Sequence, residues 1–267
     1  MAYEQYPHVK VTMQDNIAIV SLNRPEALNS VNPELHRDLE YIWIDLARDE
    51  AVKAIVVTGE GKAFSAGGDI KRMAERAGTD AGIRHALNIP AGTRRIFQNL
   101  LEVPQPVICA VNGDCIGIGA TIALFCDMSV IAEDASFGDP HTKVGLAAGD
   151  GGAVIWPMLI GHQRAKEYLL LGRVIKGREA ERIGLVNYAL PAADVVPKAM
   201  ELARELVKLP VFAVQFTKHS VNKHLREAVL HVLDASIAYE GLTQLSHDYG
   251  EATKAWTEKR KPVYKGF

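Results

Sequence analysis

The sequence predicts an α/β fold, and three observations support this prediction. Short strands rich in β-branched residues run into glycine-rich turns and then into helices, and such units recur through the first 190 residues. The chain that follows Pro210 shows helical patterns only. The composition, with 48% hydrophobic and 23% charged residues in a chain of 267, is that of an ordinary globular protein. We therefore expect a core over residues 1–209 and a helical region over residues 210–267.

The N-terminal part of the chain gives clear local signals. Residues 9–13 and 17–22 predict two strands joined by a hairpin at residues 14–16. Asn32 and Pro33 predict the start of a helix, with the asparagine as the cap and the proline at the first helical position. An apolar stripe predicts the buried face of this helix: Leu35, Leu39, Ile42, Trp43 and Leu46.

Two glycine-rich turns each separate a predicted strand from a predicted helix. The strand at 54–58 is followed by the turn at 66–68, and the strand at 107–111 by a helix that opens with Gly117 and Gly119. A helix that begins in glycine leaves its first N–H groups free to attract negative charge. Two such turns can aim two N–H groups at one acyl oxygen, as in an oxyanion hole. A Gly-x-Gly pattern also fits tight packing of a helix on a strand, and this alternative stays open.

The remaining segments are assigned from the same kinds of pattern. A helix over 81–101 should be interrupted at Pro90, and the irregular stretch at 136–152 is typical of a functional loop. A strand is expected at 128–132 and a shorter one at 186–189. Further helices are expected at 151–159, 164–171, 176–183, 193–208, 211–223, 225–245 and 249–257.

Charge and composition exclude several classes of protein. The net charge of −2 gives no basic surface for nucleic acid, and no apolar run approaches the roughly 18 residues of a membrane span. The N-terminus lacks an apolar secretory signal. The three cysteines fit no zinc pattern and indicate buried thiols in a reducing compartment: Cys109, Cys115 and Cys126. We expect a cytoplasmic protein that needs no metal and binds neither nucleic acid nor a membrane.

Six segments, taken together and in order, resemble the crotonase superfamily, also called the enoyl-CoA hydratase/isomerase family. They are LNRPEALNSV (22–31), GKAFSAGGDIKRM (61–73), PVICAVNGDCIGIGATIALFCD (106–127), SFGDP (136–140), RAKEYLLLGRVIKGREAERIGLVN (164–187) and WTEKRKPVYKGF (256–267). The resemblance implies a spiral of ββα units and a C-terminal helical region that builds trimers or dimers of trimers. It also implies an acyl-CoA substrate, with coenzyme A as part of that substrate and no separate cofactor.

The resemblance assigns roles to particular positions. The backbone N–H groups of Gly68 and Ile118 correspond to the oxyanion donors, in agreement with the two glycine-rich turns. Four further positions correspond to coenzyme A contacts, the last two on the coenzyme of a neighbouring subunit: Ala66, Lys71, Trp256 and Lys259. Plain surface charge is the alternative for the two lysines.

The chain departs from the hydratases of this family at two positions. These hydratases use two glutamates that share one water, whereas Thr121 and His141 stand at the corresponding positions here. A threonine hydroxyl is a poor general base near pH 7. Hydration by two glutamates is therefore not expected.

Three other side chains are candidates for the acid–base chemistry. His141 can accept a proton from water, and Asp150 can orient the imidazole. Glu240 continues the apolar face of the last long helix, where an unpaired acid is costly. The alternatives are a structural loop histidine, a helix cap at Asp150 and a salt bridge from Glu240 at a subunit interface.

The spacing of His141, Asp150 and Glu240 also resembles that of β-diketone hydrolases of the 6-oxocamphor hydrolase type, crotonase-fold enzymes that cleave a carbon–carbon bond between two carbonyls. Another active-site histidine of those enzymes would fall near Ile118, and they act without coenzyme A. We expect hydrolytic cleavage of a β-keto acyl-CoA by water that the His–Asp pair activates, or an atypical hydration. The alternatives are an enoyl-CoA hydratase or isomerase using Asp150 alone, and a catalytically silent homologue that binds CoA esters.

Overall fold

A computed structural model describes residues 3–267, apart from the side chain of Ile89. The strands of this part of the chain are β1 (Val9–Gln14), β2 (Ile17–Leu22), β3 (Ala54–Gly59), β4 (Ala63–Ser65), β5 (Val107–Val111), β6 (Asp114–Ile116), β7 (Met128–Ala132), β8 (Ser136–Gly138), β9 (Val174–Lys176) and β10 (Tyr188–Leu190). The α-helices are α1 (Pro33–Arg48), α2 (Ile70–Arg76), α3 (Asp80–Glu102), α4 (Ile118–Phe125), α5 (Gly152–Ile160), α6 (His162–Leu171), α7 (Gly177–Arg182), α8 (Ala192–Val207), α9 (Val211–Gln244) and α10 (His247–Thr257). Short 3₁₀ helices cover Pro25–Ala27 and His141–Val144.

The strands form two sheets. The larger has the order β1-β2-β3-β5-β7-β10, and the smaller has the order β4-β6-β8-β9. Three successive units each add one strand to the larger sheet, the next strand to the smaller sheet, and then a helix: β3-β4-α2, β5-β6-α4 and β7-β8-α5. The expected fold class, an α/β spiral of ββα units, is confirmed.

The hairpin and the helix start near the N-terminus have the structures that the sequence predicts. Asp15 and Asn16 both adopt left-handed φ angles, 54° and 61°, between the antiparallel strands β1 and β2. Two such residues in a two-residue loop match the right-handed twist of the paired strands. The side chain of Asn32 accepts a hydrogen bond of 2.9 Å from the Leu35 N–H, and Pro33 begins α1. The predicted cap is confirmed.

The core lies between the larger sheet and the helices that cover it. All residues of β3 and β5 are buried, as a parallel strand covered on both faces requires. The five apolar side chains predicted for α1 are buried without exception. The three cysteines are buried and free, as predicted.

Two predicted helix breaks are wrong. Helix α3 continues through Pro90 from Asp80 to Glu102, and α9 is one helix of 34 residues instead of two. Proline inside a helix costs about 3 kcal/mol. Helix α3 packs against both α1 and α9, and such packing outweighs local propensity in most protein helices.

The strands of the smaller sheet could not be recognised from the sequence pattern. Each of its four strands has only three residues, which is too short for a period-two pattern to show. Consequently the predicted irregular stretch at 136–152 contains β8 and a 3₁₀ helix. Among the described residues, no helix combines the length and apolarity that crossing a membrane requires. The division at 209/210 coincides with the turn between α8 and α9 and stays a prediction.

Helix α4 approaches strand β4 so closely that only glycine fits at the contact. A Cβ atom built on Gly119 would lie 2.6 Å from the Cβ of Ser65. Ser65 is itself fully buried and its hydroxyl donates to the carbonyl of Asn29. The first two ββα units are therefore held at a fixed distance from each other.

Replacing Gly119 with alanine should lower the free energy of unfolding by about 1–3 kcal/mol, because overpacking displaces α4 from β4. The same change at Gly250 in α10 is a matched control. Its Cβ would meet only the Cβ of Ala77, at 3.9 Å. Gly250→Ala should raise the unfolding free energy by about 0.4–1 kcal/mol by restricting the unfolded chain. Urea unfolding of both variants measures this, and equal effects would contradict the close contact.

Candidate active site

A cavity of about 440 Å³ lies where the two glycine-rich turns meet the helices. Residues of α1, α2 and α3 form one wall, and residues of the 139–150 loop, α9 and α10 form another. Four predicted site residues with different proposed roles line it together: Gly68, Ile118, His141 and Glu240. Asp150 and Ala66 line it as well.

The two glycine-rich turns contact each other at one end of this cavity. Gly67 and Gly117 both have positive φ angles, 84° and 57°. The Cα of Gly67 lies 3.7 Å from the position that a Cβ of Gly117 would occupy. Among the described residues, no acceptor receives the N–H of Gly68 or Ile118. These two donors are therefore free for a group bound in the cavity.

His141 lies between two carboxylates. Its Nδ1 faces Asp139 Oδ1, and its Nε2 lies 3.4 Å from Asp150 Oδ2. The other oxygen of Asp150 accepts a hydrogen bond of 3.0 Å from the hydroxyl of Thr121. Helix α5 begins with Gly151 as its cap and has no side-chain cap, so the alternative of Asp150 as a helix cap is wrong. The structure brings His141 and Asp150 together, a contact that the sequence had left open.

The two carboxylates determine the charge of His141. Burial alone would lower the pKa of the imidazole, but the negative charges of Asp139 and Asp150 outweigh it and hold the pKa well above its ordinary value. The ring is therefore an imidazolium at neutral pH. The expectation that His141 takes a proton from water assumed one carboxylate partner, whereas the structure gives it two and leaves the resting ring no free basic nitrogen.

Asp139 is the residue that the sequence analysis missed. It is 1% exposed, and its Oδ2 has no hydrogen-bond partner among the described residues. A Cβ on Gly152 would lie 2.0 Å from this oxygen, so glycine lets the carboxylate reach the positive N-terminal end of α5. The signal available in the sequence was an acid two residues before the candidate histidine, in the segment SFGDPH.

Glu240 lies on the buried face of α9, as its place in the apolar stripe predicts. It is 6% exposed, and no basic side chain of the described residues forms an ion pair with it. Burial raises the pKa of Glu240 to about 8; the charge of His141 opposes this shift, and the charge of Asp150 adds to it. Glu240 is therefore mostly protonated at neutral pH, as a general acid should be.

Three acid–base residues are close enough to suggest a metal site, which the sequence did not indicate. Ligand atoms of Asp139, His141 and Asp150 all lie within 4.8 Å of one another. Each ring nitrogen of His141 nevertheless faces a different carboxylate. A cation would have to replace one of these charge-assisted contacts. The arrangement fits a hydrogen-bonded array better than a metal centre.

A second group of polar side chains lies on the wall formed by α1, α2 and α3, and it was not predicted from the sequence. Arg95 Nη2 lies 2.6 Å from Glu40 Oε2, and His36 Nδ1 lies 3.0 Å from Glu40 Oε1. Arg76 and His85 lie on the same wall, with Arg76 Nη1 3.5 Å from His85 Nδ1. This wall is basic, in contrast to the acidic wall around Asp150.

The predicted coenzyme A contacts fall into two groups. Ala66 lines the cavity next to Gly67. Three others have exposed side chains away from its lining: Lys71, Trp256 and Lys259. Their roles stay predictions.

Comparison with known proteins agrees with the fold. The family model described as "Enoyl-CoA hydratase/isomerase" matches residues 12–266, so the chain belongs to the enoyl-CoA hydratase/isomerase family. It is 32% identical to the short-chain-enoyl-CoA hydratase of Clostridium acetobutylicum, covering 95% of this chain and 96% of that protein. It is 31% identical to the 1,2-epoxyphenylacetyl-CoA isomerase of Escherichia coli, covering 95% and 97%.

Solved structures give the same result. The crystal structure of an enoyl-CoA hydratase/isomerase from Mycobacterium paratuberculosis is similar with a TM-score of 0.87 and 37% identity, covering 92% of this chain and 97% of that one. The Pseudomonas aeruginosa protein OdaA gives a TM-score of 0.83 at 28% identity, covering 93% and 98%.

Replacing Asp139 with asparagine should lower the pKa of His141, because one of two flanking charges is lost while the burial remains. Histidine NMR of isotope-labelled protein measures this titration directly. In the wild type, a raised folded-state pKa stabilises the fold below the ordinary histidine pKa of about 6.5, and this stabilisation is lost as pH rises through the folded value. The part of the pH dependence of the unfolding free energy that arises from His141 should therefore be smaller in Asp139→Asn.

The matched control is Asp38→Asn, because Asp38 lies 3.2 Å from His8 at a distant site. It should leave the His141 titration unchanged. An unaltered His141 pKa in Asp139→Asn would refute the two-carboxylate arrangement.

Proposed function

We propose that the protein is an enzyme that adds water at C3 of an acyl-CoA thioester. The reaction that the geometry supports best is hydrolytic carbon–carbon cleavage of a β-keto acyl-CoA. The observation that carries the proposal is the position of His141, charged and flanked by Asp139 and Asp150, in the cavity that also contains the free N–H groups of Gly68 and Ile118.

In this proposal the thioester oxygen lies between the N–H groups of Gly68 and Ile118. Asp150 accepts a proton from water, and the water oxygen bonds to the C3 carbonyl carbon. The C3 oxygen becomes an alkoxide, which the imidazolium of His141 stabilises by its charge. The gap of 3.4 Å between His141 Nε2 and Asp150 Oδ2 is long for a hydrogen bond, so both atoms can turn toward reacting groups.

The second half of the reaction uses Glu240. When the alkoxide collapses, the C2–C3 bond breaks and its electron pair forms the thioester enolate. The two backbone N–H groups stabilise this enolate, and the protonated carboxyl of Glu240 donates a proton to C2. The products are a carboxylic acid, which ionises on release, and a shortened acyl-CoA; the proton that Asp150 took from water then passes to Glu240 and restores both groups. The raised pKa of Glu240, about 8, supports the role of proton donor at neutral pH.

A positive charge distinguishes this reaction from hydration. Cleavage creates negative charge at two places, the C3 oxygen and the thioester oxygen, whereas hydration of an enoyl-CoA creates it at the thioester oxygen alone. The cavity offers two N–H groups for one oxyanion and the His141 imidazolium for another. The proposal therefore assigns the activation of water to Asp150 in place of His141, and it assigns an electrostatic role to the histidine.

Hydration or isomerisation of an enoyl-CoA with Asp150 as base is the second candidate. The Thr121 hydroxyl holds Asp150, and the protonated Glu240 completes a base–acid pair. The similarity to a short-chain-enoyl-CoA hydratase also favours this candidate. A catalytically silent homologue is less well supported. Burying Asp139, Asp150 and Glu240 together lowers the stability of the fold, and a protein without catalytic function gains nothing from this arrangement.

The proposal extends to the oligomeric state of the protein. We propose a homo-oligomer, a trimer or a dimer of trimers, in which Trp256 and Lys259 of one subunit reach the coenzyme of another while Lys71 contacts the phosphates. Large apolar side chains exposed on α9 support an interface there: Phe212, Phe216, Leu230 and Tyr239. The cytoplasm is the proposed location.

The identity of the product tests the reaction. Incubation with β-keto acyl-CoAs in water labelled with ¹⁸O should place the label in the released carboxylate and yield a shortened acyl-CoA without label. Mass spectrometry measures both products. Conversion of enoyl-CoAs to labelled 3-hydroxyacyl-CoAs would favour the second candidate, and free coenzyme A with an unbroken keto acid would contradict both.

Replacing Glu240 with glutamine should reduce kcat by about 10²–10⁴-fold, the usual contribution of a positioned acid. The wild-type rate should fall as pH rises through about 8, where Glu240 loses its proton. Glu227→Gln, an exposed position on the same helix, is the control and should keep the wild-type rate and profile. An undiminished kcat in Glu240→Gln would rule out its proposed role.

A further inference from the structure

The basic wall of the cavity consists of side chains from α1, α2 and α3: His36, Arg37, Arg72, Arg76, His85 and Arg95. Part of this charge is neutralised within the protein. Glu40 is buried on α1, and Arg95 contacts its Oε2 through Nε at 2.7 Å and through Nη2 at 2.6 Å. His36 contacts the other oxygen of Glu40 at 3.0 Å. Arg95 and Glu40 therefore form a pair that needs no ligand.

Arg76 differs from Arg95 because no carboxylate compensates its charge. Among the described residues, its guanidinium forms no ion pair, and its side-chain contact is with His85 Nδ1 at 3.5 Å. Burial lowers the pKa of His85, and the neighbouring charge of Arg76 lowers it further, so the imidazole is a neutral acceptor. The half-buried guanidinium retains donors for an anion in the cavity.

The position of Arg76 relative to the acid–base groups indicates which part of a ligand it can contact. Tyr249 is buried on α10; burial raises its pKa, the nearby charge of Glu240 adds to the rise, and the nearby charge of Arg76 opposes it. Gln244 lies one turn after Glu240 on α9 and lines the same cavity. Helix α10 packs against α2, so Tyr249 lies near both Glu240 and Arg76, where the two walls meet. A bound acyl chain with C2 and C3 at Glu240 could therefore extend past Gln244 and Tyr249 toward Arg76.

We propose that Arg76 binds a carboxylate at the far end of the acyl group, so that the substrate is the coenzyme A monothioester of a dicarboxylic acid. This inference rests on the proposed function, since it assumes an acyl-CoA in the cavity. Guanidinium and carboxylate match as planar partners with two parallel hydrogen bonds, which a methyl end of an acyl chain cannot offer.

Calorimetric titration with unreactive, saturated CoA esters tests the proposal without requiring turnover. Two series of matched chain length are compared, one ending in a carboxylate and one ending in a methyl group. The wild-type protein should bind a carboxylated ester about tenfold more tightly than its methyl-terminated counterpart at the best-fitting length. Arg76→Gln should remove this preference, and Arg76→Lys should keep part of it.

The control is Arg72→Gln, one turn earlier on α2, which also lines the cavity but pairs with Glu34 at 3.4 Å. It should leave the ratio of the two affinities unchanged. The proposal fails if wild-type protein binds both series equally at every length. It also fails if Arg76→Gln weakens both series by the same factor, which would place Arg76 on the phosphates of coenzyme A. Absence of binding by either series would contradict the acyl-CoA function itself.

Discussion

The site depends on the contact between two ββα units at their glycine-rich turns. Gly119 of α4 lies against Ser65 of β4 at a distance that excludes any Cβ atom, and the turn of Gly67 lies against that of Gly117. The N–H groups of Gly68 and Ile118 follow these contacts directly along the chain. Because the sheets and the two turns fix their positions, these donors lose little freedom when a ligand binds. The fold thus supplies the electrostatic part of the site through its backbone.

Charge balance explains why the acidic wall is stable. Asp139, Asp150 and Glu240 are all buried, and three isolated carboxylates would be expensive to remove from water. The imidazolium of His141 contacts two of them and offsets one negative charge, the N-terminal end of α5 lies beside Asp139, and the Thr121 hydroxyl donates to Asp150. Glu240 lowers the remaining cost by keeping its proton. Protonation states that suit acid–base chemistry are therefore also the states that make burial tolerable.

The sequence was informative where a local backbone conformation or hydrogen bond requires one residue type. The left-handed hairpin residues, the Asn32 cap and the glycine-rich turns were predictable because each follows from backbone sterics or from one hydrogen bond. The smaller sheet, the continuity of α3 through Pro90 and the partner of His141 were not. The first two depend on contacts between distant elements, and the third depends on a side-chain orientation. Asp139 shows this most clearly, because two residues of separation do not reveal whether a carboxylate points at a neighbouring ring.

The origin of the acid–base groups links catalysis to the C-terminal helices. The resemblance places the hydratase glutamates at Thr121 and His141, but here the carboxyls come from the 139–150 loop and from α9. Their mutual position is set by contacts between these two elements: the Ser236 hydroxyl donates to the Gly149 carbonyl at 2.9 Å, and Gly149 leaves no room for a Cβ beside Glu240. Any change that shifts α9 therefore moves Glu240, the proposed proton donor, relative to Asp150. The proposed assembly would cover apolar side chains that α9 exposes, so the proposed interface and the position of Glu240 depend on the same helix.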